Sequence, residues 1–145
     1  MCLFYINFNL QINMWGFIIT IVILILLKFI YDTSKQSSKI KREGGVRMKY
    51  AVLVDHFLSG HERCRIFQND NTLVSVGVSG PAGSQIYYIY PSYGNVAIRM
   101  EIKDNPLLGN MKMEWSFPED MNQEHMIEKI DQDIEDKFSS LANIY

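Results

Sequence analysis

His56, His61 and Cys64 come closer to chemistry, by type and spacing, than any other residues of this chain. Imidazole and thiolate are ligands that zinc takes, and a thiol beside an imidazole is the pairing that activates a cysteine nucleophile. Three candidate ligands straddling a helix end and a strand start match no zinc spacing, and a fourth ligand is missing. For a Cys64-His61 or Cys64-His56 pair, the sequence identifies neither an orienting group nor an oxyanion donor. A second candidate, Gly77-Val78-Ser79-Gly80-Pro81-Ala82-Gly83, has the glycines of a phosphate cradle. It lacks the Lys-Ser/Thr pair, and a strand rather than a helix follows, so it reads as a hairpin turn. A third is aromatic: Tyr87, Tyr88, Tyr90 and Tyr93 fall in one hairpin, with Tyr87 expected to face away from the core. Aromatic rings on an open sheet face stack bases or fill protein interfaces; with only Arg99 and Lys103 nearby the protein interface fits better than nucleic acid, and ordinary sheet packing is the plainer reading of the cluster. The sequence thus predicts no catalytic, metal or cofactor residue.

The elements that would position these residues follow from periodicity. Between Met48 and Ser59, Tyr50, Leu53, Val54, Phe57 and Leu58 recur at offsets of three and four, one apolar stripe on a helix that Gly60 stops. Period-two alternation takes over next, weakly from Arg63 to Gln68, then from Leu73 to Val78 with Val74, Val76 and Val78 on one face. Gln85 to Tyr90 places Ile86, Tyr88 and Tyr90 together, and Pro91 is expected to end that strand before a turn at Ser92-Tyr93-Gly94-Asn95. In Val96 to Lys103, Val96, Ile98, Met100 and Ile102 oppose Ala97, Arg99, Glu101 and Lys103. After a loop from Asp104 to Gly109, Asn110 to Phe117 sends Met111, Met113, Trp115 and Phe117 inward, and Pro118 stops it. Short connections between one-sided strands predict an antiparallel meander of four or five strands. A last helix, Asn122 to Leu141, carries Met126, Ile127, Ile130, Ile134, Phe138 and Leu141 as its stripe, with Asn122 as cap and an acidic outer side.

Ahead of this domain lies Met14 to Tyr31, apolar except for Gly16, Thr20 and, one turn from the end, Lys28. As a helix it would be about 27 Å long at ~1.5 Å per residue, close to the ~30 Å hydrocarbon core. Lys28 can snorkel to the interface, and Trp15 and Tyr31 suit the two boundaries. Residues 1–13 carry no side-chain charge, whereas Lys28, Lys35, Lys39, Lys41, Arg42, Arg47 and Lys49 follow, against Asp32 and Glu43. Positive-inside logic then expects the N-terminus outside and the C-terminal domain in the cytoplasm. Met14, immediately before the apolar run, is a candidate translation start in place of Met1, and Met48 is a lesser internal candidate that would delete the anchor. The expected organisation is a short non-cytoplasmic stretch at 1–13, a transmembrane helix at 14–31, a basic linker at 32–47 and an α+β domain at 48–145.

The net charge of −2 offers no nucleic-acid footprint, because basic residues gather in the linker and acidic ones on the last helix. Cys2 and Cys64 would lie on opposite sides of the membrane and form no disulfide framework. The expected fold class is α+β: one N-terminal transmembrane helix, then helix, antiparallel β-meander and C-terminal helix. The expected partners are the lipid bilayer, through Met14–Tyr31, and a protein at the cytoplasmic membrane face, with no nucleic acid. The expected function is a non-catalytic protein-interaction module or membrane-complex subunit. The alternative is a small ligand-binding or enzymatic domain with its site between the sheet and the C-terminal helix.

Overall fold

The computed structural model describes residues 15–31, Lys35, Ser38 and 44–142. The chain divides into two units, Met1–Lys35 and Gln36–Tyr145. In the first, 15–31 is one unbroken helix (α1) with every residue exposed. The hydroxyl of Thr20 donates back to the carbonyl of Gly16 at 2.8 Å. Among the described residues no helix is long and apolar enough to cross a membrane. Met14, the stretch 1–13 and most of the linker lie outside the described residues.

The second unit is α+β: helices α2 (Val46–Lys49) and α3 (Ala51–Ser59), strands β1 (Arg65–Asn69), β2 (Val74–Gly80), β3 (Gly83–Ser92), β4 (Asn95–Asn105) and β5 (Gly109–Pro118), and helix α4 (Gln123–Ala142). The strands form one antiparallel sheet in the order β1-β2-β3-β4-β5. α3 packs against β2 and α4, and α2 against β3. The expected stripes meet in one core: Leu53, Val54 and Phe57 of α3, Val74 and Val76 of β2, Val96, Ile98, Met100 and Ile102 of β4, Trp115 and Phe117 of β5, and Met126 and Ile130 of α4. Every core residue among those described lies within this unit.

Of the boundaries that differ from the sequence reading, three have a clear local reason. The first helix begins at Val46, a core residue that the sequence reading assigned to the linker, and it breaks at Tyr50, whose φ of −114° and ψ of 38° leave the helical region. The break strands a carbonyl and an amide, and Gln123 at the start of α4 takes both. Its Oε1 accepts from Leu53 N–H at 3.2 Å, and its Nε2 donates to Lys49 O at 2.9 Å. Pro91 does not end its strand, because β3 continues to Ser92 with Pro91 paired to Val96. Pairing with β2 ends at Val74↔Ile89, so the donor that Pro91 lacks is missing where no β2 partner remains. β4 runs on to Asn105 through an irregularity at Asp104, whose φ is +55°.

The Tyr93-Gly94 turn fixes the register of the sheet. Both residues have positive φ, 47° and 81°, the type I′ geometry that joins strands through two residues. Ser92 must then pair with Asn95, and in consequence Tyr87 pairs with Met100. Opposed residues share a face, so Gln85, Tyr87 and Ile89 lie under the helices, and Ile86, Tyr88 and Tyr90 lie on the open face. Tyr87 therefore faces the helices, the reverse of the sequence expectation.

Candidate functional site

That reversal places Tyr87 in a cleft beneath the helices. A cavity of about 280 Å³ opens where the end of α3, the start of β1, the β2–β3 hairpin and the middle of α4 meet, lined in part by His56, His61, Cys64, Gln85, Tyr87 and Asp131. Its back wall is aromatic: Phe57 and Tyr87 stack with centroids 4.0 Å apart and planes 8° apart. Gln85, two residues before Tyr87 and on the same face, donates from Nε2 to the Tyr87 hydroxyl at 2.8 Å and to Met100 Sδ at 3.5 Å. Burial pushes the Tyr87 phenol up to about 12, partly offset by the bond from Gln85.

His56, in the last turn of α3, reaches across to α4, with Nε2 at 3.2 Å from Asp131 Oδ2 and 3.3 Å from Oδ1. His61 sits in the turn after α3 and accepts the Arg63 N–H on Nδ1 at 3.0 Å, so Nε2 is the nitrogen left to carry a proton. The backbone N–H of Cys64 closes the same turn on His61 O at 2.9 Å, and the thiol is free and partly buried. The fold thus gathers all three singled-out residues and adds Asp131, Gln85 and Tyr87. Among the described residues no three His, Cys, Asp or Glu side chains come together in a way that could hold a metal ion. Among the described residues the lining carries no Lys or Arg. It offers a phenol, two imidazoles, a thiol, an amide and a carboxylate, a set suited to hydrogen-bonding a small polar molecule.

Sequence reasoning missed Asp131 because it treated the acidic side of the last helix as uniformly solvated. It named Tyr87 but put it on the wrong face, because alternation alone leaves the choice of face open. The usable signal was the Tyr93-Gly94 dipeptide, which sets the pairing through its turn type. The glycine-rich stretch is a hairpin, with Pro81-Ala82 between the paired Gly80 and Gly83. Gly83 has φ +107°, and a Cβ there would lie 2.6 Å from Lys103 O.

The open sheet face is a second candidate surface. On β4 and β5 it carries an ion-pair lattice: Arg99 Nε to Glu114 Oε1 at 2.5 Å, Lys112 Nζ to Glu114 Oε1 at 3.0 Å and Lys103 Nζ to Glu101 Oε2 at 2.8 Å. Hydrogen bonds from Lys112 and Arg99 hold the Glu114 carboxyl below the usual range, and one from Lys103 does the same for Glu101. On β3 it carries Ile86, Tyr88 and Tyr90, with Arg99 Nη2 donating to the Tyr90 hydroxyl at 3.3 Å. Phe67, at the β1 bulge, is 39% exposed with the Arg65 guanidinium 4.8 Å over its ring. The chain matches no protein-family model, no curated protein and no solved structure.

Proposed function

We propose that this chain is a single-pass membrane-anchored protein whose α+β domain is a non-catalytic interaction module, or complex subunit, at the cytoplasmic face of the bilayer. The observation that carries the reading is helix 15–31, whose fourteen large apolar side chains, from Trp15 to Tyr31, are between 41% and 68% exposed. Leaving that many side chains in water costs on the order of 20 kcal/mol, at ~1.5 kcal/mol or more each, a penalty that lipid removes. Thr20 spends its hydroxyl on Gly16 O, which suits a medium with no water to bond it. Seventeen residues give about 26 Å, and Met14 extends the apolar run by one more. The remaining shortfall against a ~30 Å core is of a size that snorkelling of Lys28 and slight bilayer thinning absorb. Lys35, Lys39, Lys41, Arg42 and Arg47 follow the helix and favour a cytoplasmic domain. The tether raises the effective concentration of the domain for membrane partners, and the open face with Ile86, Tyr88 and Tyr90 is the surface offered to them.

Protease added to intact cells, and separately to inverted membrane vesicles, tests the orientation. The domain is digested only in the inverted vesicles; digestion from outside intact cells would overturn it. A second reading, a small-ligand site between sheet and C-terminal helix, draws on the cleft that His56, Cys64, Tyr87 and Asp131 line. If it holds, cell metabolite extract slows alkylation of the Cys64 thiol in the wild-type domain and has no such effect once Tyr87→Ala opens the wall.

A further inference from the structure

The two edges of the sheet are unlike. β1 is five residues long and bulged between Ile66 and Gln68, features that discourage a further strand from adding. β5 is ten residues long, runs without irregularity from Met111 to Pro118 and, among the described residues, pairs only with β4. A broad, open groove shared with α4, lined by Lys112, Glu114, Asp133 and Asp136 among others, lies along it, and among the described residues none closes it over.

We infer that β5 is a homodimer edge, pairing antiparallel with β5 of a second copy about a two-fold axis through Met113. Backbone parity and side-chain charge select this register independently. The two-residue Tyr93-Gly94 turn closes on the hydrogen-bonded pair Ser92/Asn95, which turns Val96, Ile98 and Met100 of β4 toward Phe117, Trp115 and Met113 of β5. The outward N–H and C=O groups are then those of Asn110, Lys112, Glu114 and Ser116. Pro118 has the same outward parity, at the strand end, where its missing donor breaks no bond to β4. An axis through Met113 sets Lys112 opposite Glu114 of the second copy, and Asn110 opposite its Ser116, outward-bonding positions in every case. Moving the axis to Lys112 or to Glu114 keeps the parity but sets like charges face to face, which is destabilising. An axis between two residues sets outward groups against inward ones. The alternation Lys112-Met113-Glu114 is therefore self-complementary, and the occupant it fits is another β5. The inference stands whether or not α1 enters lipid.

The test uses residues 36–145, which carry every core residue among those described, in sedimentation equilibrium over a range of concentrations. The expected result is a monomer–dimer equilibrium that Glu114→Lys weakens by on the order of tenfold, since two attractive cross-strand pairs become two repulsive ones. The charge swap Lys112→Glu with Glu114→Lys restores opposite charges in this register and should return dimerisation to within about threefold of the wild type. In a Cys64→Ser background, Met113→Cys should oxidise to a covalent dimer, because a non-hydrogen-bonded pair sets its Cα atoms ~4.5 Å apart, within disulfide reach. That readout holds independently of how well the charge variants fold. A monomer at all concentrations, or a dimer indifferent to Glu114→Lys and without the Met113→Cys cross-link, overturns the proposal.

Discussion

Tyr87→Phe should change how stability depends on alkaline pH, by an amount that follows from the placement of the ring. The phenol lies against Phe57 under the helices, and burial moves its pKa from the ordinary 10.0 to about 12. Below pH 10 the folded and unfolded chains both hold the proton, and the hydroxyl contributes only its bond from Gln85, about 1 kcal/mol. Between pH 10 and about 12 the unfolded chain ionises while the folded one resists, so stability is lost as pH rises through that window. The full loss is about 3 kcal/mol, two pKa units at ~1.4 kcal/mol each, and about half of it has gone by pH 11. Phenylalanine has no proton to lose. Urea denaturation of wild type and Tyr87→Phe at several values between pH 8 and pH 12 reads the difference, with the other tyrosines and the lysines common to both. The variant should be the less stable protein at pH 8 and the more stable one at pH 12. Parallel pH profiles would refute the burial of Tyr87 and, with it, the register set by the Tyr93-Gly94 turn.

Gln123→Ala leaves Leu53 N–H and Lys49 O without their partner at the α2–α3 break, and should cost about 1–3 kcal/mol in urea melts. Gln123→Glu keeps the acceptor and loses the donor, and should fall between it and wild type. Gly77→Ala places a Cβ 2.0 Å from Gln85 O and 2.8 Å from Ile86 Cα, backbone that cannot give way without opening the β2–β3 hairpin. It should cost about 3 kcal/mol or more in thermal or urea unfolding. Ile98→Ala empties a fully buried site at the centre of β4 and should cost about 2–5 kcal/mol by the same measure.

Where one face is buried and the other wet, the residues announce it. Val96, Ile98, Met100 and Ile102 read as a core face from spacing alone, as did Trp115 and Phe117, and all are buried. Asn122 was legible as a cap, and its Oδ1 accepts from Glu124 N–H at 2.7 Å. β3 was legible as a strand but not in its facing, because tyrosine is at home on either side of a sheet and Ile86 and Ile89 point to opposite faces. Only cross-strand pairing decides that, and pairing is a property of the turn rather than of the strand. The cleft was illegible for the same reason. His56 and Asp131 are 75 positions apart, and nothing local in either helix signals that they meet.

Anchoring is tested most directly by washing native membranes at high pH and asking where the full chain goes. The wild type should stay with the lipid pellet, and a chain carrying Ile19→Lys and Leu24→Lys, two charges placed within helix 15–31, should move to the supernatant. Release of the wild type by the wash would contradict the anchored account.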